Sequence, residues 1–444
     1  MILQVRNLVF SYRNYQKTGG PFLPPTLDGL NLDVREGEHV LILGECGSGK
    51  TTLTRILTGT VPKYINGNLT GSITVNTKNV LETPPWEMTG DIGLVAQNSD
   101  EQIICPVVAD EVAFALQTAG IKRPVMLRTV EDALRKNGLS AKAEAPTGVL
   151  SGGEKKRLLL ASLDAVNPAL RILDETFDEL DGQGKADLAQ RILSDGGAII
   201  LLACRPQDVY RGVFDSFYFL KDGRLQKTDE ETALAAGGGD WPAFEDTGGE
   251  QCVEASGVTV VRDGGFRVIV PRFVFRQGEV IALCGPNGSG KTSFARALVG
   301  LDDVPEGRFS LEKDRRTVTI GYLFQNPDYQ LFLPTVREEL SWPDGRGDVD
   351  GVCAQLGLDP SSVAAVLSYP ERKLVQVGTY CLLNRPFYVL DEVEGSLGYE
   401  DCRRIISLLR RNGAGILLIT HDPVVASWAG RRYVITGSVM EEAR

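Results

Sequence analysis

Two Lys-Thr pairs, Lys50-Thr51 and Lys291-Thr292, each close a glycine-rich run with the spacing G-x-x-x-x-G-K-T. The first run is Gly44-Glu45-Cys46-Gly47-Ser48-Gly49, and the second is Gly285-Pro286-Asn287-Gly288-Ser289-Gly290. Glycines at these positions let successive backbone N–H groups curl around phosphate oxygens, and a helix starting there adds its partial positive charge. The lysine can reach the outer phosphates of a nucleotide, and the hydroxyl after it can hold Mg2+. The predicted chemistry is therefore binding of a nucleoside triphosphate, twice in one chain.

The elements that must position such loops flank both of them. Apolar strands precede them, at His39-Val40-Leu41-Ile42-Leu43 and Val280-Ile281-Ala282-Leu283-Cys284, and helix-compatible stretches follow at Leu53–Leu57 and Phe294–Leu298. The repeat continues downstream. Gln97-Asn98-Ser99-Asp100-Glu101-Gln102-Ile103 corresponds to Gln325-Asn326-Pro327-Asp328-Tyr329-Gln330-Leu331. Leu150-Ser151-Gly152-Gly153-Glu154 corresponds, imperfectly, to Leu367-Ser368-Tyr369-Pro370-Glu371. Ile172-Leu173-Asp174-Glu175 matches Val389-Leu390-Asp391-Glu392, and the run ending Ala203-Cys204-Arg205-Pro206 matches that ending Thr420-His421-Asp422-Pro423. Anchors in the same order make this a tandem duplication with a period far longer than a solenoid repeat.

A chain of 444 residues is too long for one ordinary domain. The first domain is predicted over 1–235 and the second over 251–444, with a Gly-rich acidic linker at 236–250. Within each half, short β-branched runs alternate with helical patterns, which predicts an α/β fold with a mostly parallel sheet. Spacings are shorter in the second half, so its peripheral subdomain is expected to be trimmed. A net charge of −11 argues against a nucleic-acid partner. No apolar run approaches the ~20 residues that span a bilayer, and Met1–Leu8 reads as a strand, so the expected location is cytoplasmic. Eight cysteines without a C-x-x-C pair read as reduced thiols.

The order phosphate loop, Gln, Leu-Ser-Gly-Gly-Glu, apolar-Asp-Glu, His resembles the ATP-binding cassette ATPases across nearly the whole chain. The resemblance implies two tandem cassettes, each a mostly parallel core sheet with an antiparallel β part and a helical subdomain. It also implies head-to-tail pairing within one chain, each ATP lying between one phosphate loop and the opposite signature. On that pattern one site joins Lys291, Thr292, Gln325, Asp391, Glu392 and His421 to Ser151, Gly152, Gly153 and Asp181. Thr292 and Asp391 would hold Mg2+, Glu392 would polarise water, and His421 would contact the γ-phosphate. The mirror site has Lys50, Thr51, Gln97, Asp174 and Glu175, with Thr51, Asp174 and Gln97 as the Mg2+ set. It departs from the pattern at Cys204, at Tyr369-Pro370 and at Gly398, where the facing aspartate should stand. One hydrolytic and one nucleotide-holding site are expected. Tyr12 is the candidate adenine contact in the first half, whereas Val261 and Arg262 leave the second open. His39 is expected to be structural.

Gln325 to Phe332, followed by Thr335-Val336-Arg337-Glu338-Glu339-Leu340, is similar to the energy-coupling-factor transporter ATPases, and the first half carries the same pattern. That resemblance implies a short extra helix after each glutamine. It also implies integral membrane partners (a transmembrane coupling protein and a substrate-binding membrane protein), import of a vitamin or transition-metal ion, and residence at the cytoplasmic face of the membrane. The alternatives are the fused double ATPase of sugar importers, which lacks these Gln-Asn-x-Asp-x-Gln segments, and a soluble twin-cassette ribosome-associated ATPase. A coiled-coil repair ATPase would need heptads that neither half contains.

Overall fold

The computed structural model describes residues 1–13, 22–178, 180–236, 241–262, 266–342, 347–364, 367–395 and 397–443. It divides into two units, Met1–Gly238 and Gly239–Arg444. The strands of the first unit are β1 (Leu3–Tyr12), β2 (Leu27–Val34), β3 (His39–Leu43), β4 (Gly67–Val75) and β5 (Lys78–Asn79). They continue with β6 (Ile92–Val95), β7 (Leu170–Asp174), β8 (Ala198–Ala203), β9 (Ser216–Lys221) and β10 (Arg224–Thr228).

Two kinds of strand follow from two kinds of sequence. Buried residues in β1 and β2 are interleaved with exposed ones, which suits an antiparallel sheet with one solvated face. These strands form the sheet β2-β1-β4-β5. By contrast, β3, β7 and β8 are buried at every position, as a parallel sheet covered on both faces requires. They lie in the sheet β10-β9-β3-β8-β7-β6, parallel from β9 to β6 with β10 antiparallel at the edge. One core joins this sheet to the antiparallel one around Phe10, Leu53, Ile56 and Ile172. A second lies on its other face against the helices Gly152–Val166 and Gly182–Ser194. The helices Val108–Thr118 and Arg123–Lys136 form a lobe with its own core, built on Val112, Leu116, Leu134 and Leu158.

The second unit repeats this plan. Its strands are β11 (Cys252–Val261), β12 (Arg267–Arg276), β13 (Val280–Cys284), β14 (Glu306–Phe309) and β15 (Ile320–Leu323), then β16 (Phe387–Asp391), β17 (Gly415–Ile419), β18 (Arg431–Thr436) and β19 (Val439–Ala443). A pairing of Ile269 with Val439 merges both parts into one sheet, β14-β11-β12-β19-β18-β13-β17-β16-β15. The trimming expected from sequence is present. The lobe helices are Val336–Ser341 and Val349–Leu356, of 6 and 8 residues, against 11 and 14 in the first unit.

The Gly-rich stretch between the units is anchored from Trp241 onward. Trp241 packs 6.2 Å from Trp428 and 6.3 Å from Tyr399. The Arg403 guanidinium lies 4.4 Å from the Phe244 ring centroid and donates to the carbonyl of Pro242 at 2.8 Å. Phe244 N–H donates to the Trp428 carbonyl at 2.8 Å. Residues 241–250 therefore belong physically to the second unit, held by aromatic and cation–π contacts. Residues 237–240 lie outside the described set.

Candidate functional site

In each unit three strand ends converge. The phosphate loops follow β3 and β13, the Asp-Glu pairs close β7 and β16, and Cys204 and His421 follow β8 and β17. Since β3 pairs β8 and β8 pairs β7, while β13 pairs β17 and β17 pairs β16, the sheet order brings these groups together at its carboxyl edge. That edge is where open parallel sheets place ligands.

The loops are built for a phosphate. Gly290 has φ 99°, and a Cβ there would stand 2.2 Å from Val268 Cγ2. A Cβ on Gly44 would meet Ser48 Oγ at 2.6 Å. No other residue fits these positions without moving the loop. Ser48 Oγ and Ser289 Oγ are buried without a hydrogen-bond partner, so each cradle holds an orphaned hydroxyl that a phosphate oxygen would satisfy. Lys50 Nζ donates to the carbonyls of Gly44 and Glu45 at 2.6 and 3.0 Å, and Lys291 Nζ to those of Gly285 and Pro286 at 2.8 and 3.0 Å. Both ammonium groups are thus aimed into their loops. Thr51 and Thr292 stand next in line on the helices Lys50–Leu57 and Lys291–Leu298.

The acidic pairs repeat in detail. Glu175 and Glu392 both adopt left-handed backbone, at φ 50° and 49°, a strained conformation for a side chain of this size. Each N–H is held by the neighbouring strand, through the carbonyls of Leu202 and Ile419 at 2.9 Å. Gln97 Nε2 donates to Glu175 Oε2 at 2.8 Å, and Gln325 Nε2 to Glu392 Oε2 at 2.6 Å. On the other carboxylate oxygen the units diverge. His421 Nδ1 lies 3.4 Å from Glu392 Oε1, whereas the Cys204 thiol donates to Glu175 Oε1 at 2.7 Å, and Lys50 Nζ forms an ion pair with that oxygen at 3.6 Å.

Burial sets the protonation of these groups. Asp174 is pushed up to about 7 by burial and by the adjacent Glu175, and Asp391 to about 6 by burial and Glu392. Burial also works against the Glu392 carboxylate, but His421, Lys291 and Lys373 outweigh it and hold its pKa below the ordinary value. The Cys204 thiol is raised by burial and by Glu175, so it faces Glu175 as a neutral donor. Asp391 accepts from Tyr322 Oη at 2.7 Å and from the Thr292 hydroxyl. A threonine hydroxyl beside a buried carboxylate fits Mg2+, which takes one or two protein oxygens and completes its shell from phosphate and water.

The signature helices start alike despite different sequences. Ser151 and Ser368 are N-caps with full capping boxes to Glu154 and Glu371. Pro370 is tolerated because first-turn N–H groups have no intrahelical acceptor. Asp181 caps the helix Gly182–Ser194 through Gly184 N–H at 2.9 Å, while Gly398 caps Tyr399–Leu409 without a side chain. Tyr12 Oη pairs with Thr52 Oγ1 at 3.0 Å. At the matching strand end, Arg262 reaches Ser293 Oγ at 3.3 Å and Asp302 at 2.8 Å. His39 is buried in β3, its N–H bonded to Asp215 at 2.8 Å.

The expected short helices after the glutamines are present at Ser99–Gln102 and, as a 3-10 turn, Pro327–Gln330. Sequence reading missed how they are scaffolded. Gln102 clasps Ala96 N–H and the Leu94 carbonyl at 2.7 Å, and Gln330 clasps Phe324 N–H at 3.1 Å and the Tyr322 carbonyl at 2.9 Å. Buried Glu111 accepts from Ile104 and Cys105 N–H, and buried Glu339 from Phe332 and Leu333 N–H. Recurrence of both glutamates at one spacing was the available signal. The scaffold leaves Ile104 65% and Phe332 77% exposed.

The model of the ABC transporter family matches residues 27–178 and 271–394. Proteins provisionally named ABC transporter ATP-binding proteins align along nearly the full chain. One from Caldanaerobacter subterraneus subsp. tengcongensis is 27% identical over 98% of this chain and 90% of its own. One from Sulfurisphaera tokodaii is 28% identical over 94% and 95%. Among solved structures, a model of ribosome-bound archaeal Pelota and ABCE1 superposes with TM-score 0.70 over 94% of this chain and 76% of that one, at 20% identity, which speaks to fold alone. The double family match, resting on two phosphate loops with their Asp-Glu strand ends, means that the chain belongs to the ABC transporter family and is a two-cassette ATPase.

Proposed function

We propose that this ATPase energises an importer of the energy-coupling-factor type, its two cassettes pairing within one chain at the cytoplasmic face of a membrane. The observation that carries this reading is the duplicated scaffold after each glutamine, which holds Ile104 and Phe332 out into solvent at equivalent positions. Two exposed apolar side chains, each fixed by a buried glutamate beside a catalytic-site glutamine, suit a partner that must sense nucleotide state through both cassettes. Among the described residues no helix is long and apolar enough to cross a membrane, so the pore would come from separate subunits.

In this reading hydrolysis occurs at the second cassette's phosphate loop. Lys291 binds the outer phosphates, and Thr292 with Asp391 would hold Mg2+, which neutralises developing charge on the phosphate oxygens. Glu392, aligned by Gln325 and His421, takes the proton of the attacking water. The first cassette's loop mainly retains nucleotide, because Cys204 cannot carry the charge an imidazole can. Ser151, Gly152, Gly153 and Asp181 would complete the hydrolytic site, as the resemblance to paired cassettes implies.

Detergent extraction of membranes from cells producing the tagged full chain tests the proposal. Integral membrane subunits should co-purify in one complex with one copy of this chain. A second reading, a ribosome-associated ATPase, draws on the likeness to ABCE1-containing structures. Co-sedimentation with ribosomes, and no membrane subunit in the extract, would establish it instead.

A further inference from the structure

The altered signature of the second unit is wired into that unit's own nucleotide edge. Tyr369 replaces the first signature glycine, and its hydroxyl donates to the carbonyl of Gln325 at 3.0 Å. Lys373, one turn later, donates to the carbonyls of Glu392 at 2.8 Å and Gly395 at 3.0 Å. Arg372 pairs with Asp328 at 3.0 Å, and Gln376 Nε2 donates to the carbonyl of Phe324 at 3.3 Å. Positions 369, 372, 373 and 376 are spaced i, i+3, i+4 and i+7, so they form one face of the helix Tyr369–Leu383. That face grips the peptides of both residues whose side chains meet at 2.6 Å, Gln325 and Glu392.

The first unit gives the contrast. Lys156 stands where Lys373 does, yet its ammonium donates to the carbonyls of Ala96 and Gln97, at 2.8 Å each. There the lysine holds the glutamine segment, and a glycine, Gly152, occupies the tyrosine's place. In the second unit Tyr369 has taken over the glutamine carbonyl, and the lysine has moved to the glutamate. Glu175 has the same left-handed backbone, so the lysine's place in the second unit is an added hold on the Glu392 peptide and not an answer to strain.

We propose that Tyr369 and Lys373 are positioning residues for the Gln325–Glu392 pair of their own cassette, so that the departure from the signature glycines serves hydrolysis in the second unit. The inference rests on the reading that Glu392 is the hydrolytic carboxylate. It makes the tyrosine a functional replacement, with the ring stacked near Arg372 and Lys373 at 5.8 and 5.9 Å and the hydroxyl as the working group.

The test is steady-state ATP turnover of the full chain carrying Tyr369→Phe, which keeps the ring and removes one hydroxyl. The expected result is a kcat lowered about three- to tenfold, the range one neutral hydrogen bond supports, with KM for ATP within about twofold of wild type. In a Gln325→Ala background the same substitution should have no further effect, because the tyrosine acts through that side chain. Unchanged kcat in Tyr369→Phe overturns the proposal, and so does an equal loss with and without Gln325. Lys373→Gln supplies a second reading if the tyrosine variant does not fold, with the same kcat-only signature expected and a KM-only or null effect overturning it. Glu392→Gln, assayed alongside, separates the two levels. Wild-type turnover in that variant defeats the reading of the site itself, whereas its loss beside a silent Tyr369→Phe defeats only the positioning role.

Discussion

Asp391→Asn should stabilise the nucleotide-free, Mg2+-free protein, and only above a definite pH. The Asp391 carboxyl is buried, sits beside Glu392, and titrates at about 6 instead of its ordinary 3.8. The folded state therefore holds a proton that the unfolded state releases between pH ~4 and ~6. By linkage, stability falls as pH rises through that window, and the whole cost is present above it. A shift of about 2 pH units corresponds to about 3 kcal/mol, an upper bound for the gain on replacing the charge by an amide that still accepts from Tyr322. For a unit of ~200 residues, 1 kcal/mol moves Tm by about 2–4 °C, so the variant should melt higher at pH 8 by up to about 6–12 °C. At pH 4 the difference should vanish. Tryptophan fluorescence during thermal unfolding in chelator reports on the correct unit, because Trp241, Trp342 and Trp428 lie there and only Trp86 lies in the other. With Mg2+ and ATP present, the order should reverse, since the amide loses the metal contact. A variant that melts below wild type at pH 8 in chelator, or a gain that is equal at pH 4 and pH 8, would refute the assignment of Asp391 as a carboxylate ionised against burial.

Three further outcomes are expected. Glu392→Gln should lower ATP turnover about 10²–10⁴-fold, whereas Glu175→Gln should retain most of it; equal losses in steady-state assays would sink the one-hydrolytic-site reading. Ile104→Ser combined with Phe332→Ser should abolish co-purification with membrane subunits and leave ATP binding intact, because neither side chain holds its own cassette together; retained co-purification would remove these residues from the interface. Cys252 is exposed and should react quickly with a maleimide, while Cys204, buried and with its thiol pushed up, should remain unlabelled in native protein. Mass spectrometry of peptides after brief labelling decides this, and rapid modification of Cys204 would mean that the pocket around Glu175 opens.

What sequence made legible was local. The phosphate loops declare themselves because glycine, lysine and hydroxyl positions are all dictated within eight residues, and continuous apolar runs such as Leu170–Asp174 announce strands covered on both faces. The trimmed lobe of the second unit follows directly from shortened spacings. Long-range partners were not legible. Trp241 and Phe244 look like part of a loose Gly-rich tether until Arg403, Arg410 and Trp428, more than 150 residues later, supply their contacts. Tyr369 and Pro370 read as pure loss of two glycines, because the carbonyl that the tyrosine meets lies 44 residues upstream. Within the segment after Gln325, the fold spends Asp328 and Gln330 on its own framework, to Arg372 and to the end of β15. Substituting them would loosen the cassette, so Phe332 is the cleaner probe of the partner surface.

The two units differ less in geometry than in the charge each can place around its glutamate. Both hold that carboxylate by a glutamine amide on one oxygen, with Cys204 or His421 from the end of the next strand beside the other. An imidazole can carry positive charge, and His421 Nδ1 lies 3.4 Å from Glu392 Oε1. A thiol whose pKa is driven upward can only remain neutral, and cationic support for Glu175 comes from Lys50 at 3.6 Å. Lys50 is also the group that must reach the outer phosphates. In the first unit, glutamate and nucleotide therefore draw on one ammonium, while in the second His421 and Lys373 share with Lys291 the support of Glu392. Nucleotide bound at the first loop would take Lys50 away from Glu175 and leave the carboxylate less well held. On the proposed reading of one hydrolytic site, this competition would favour retention over turnover there, and it needs no change in the position of either glutamate.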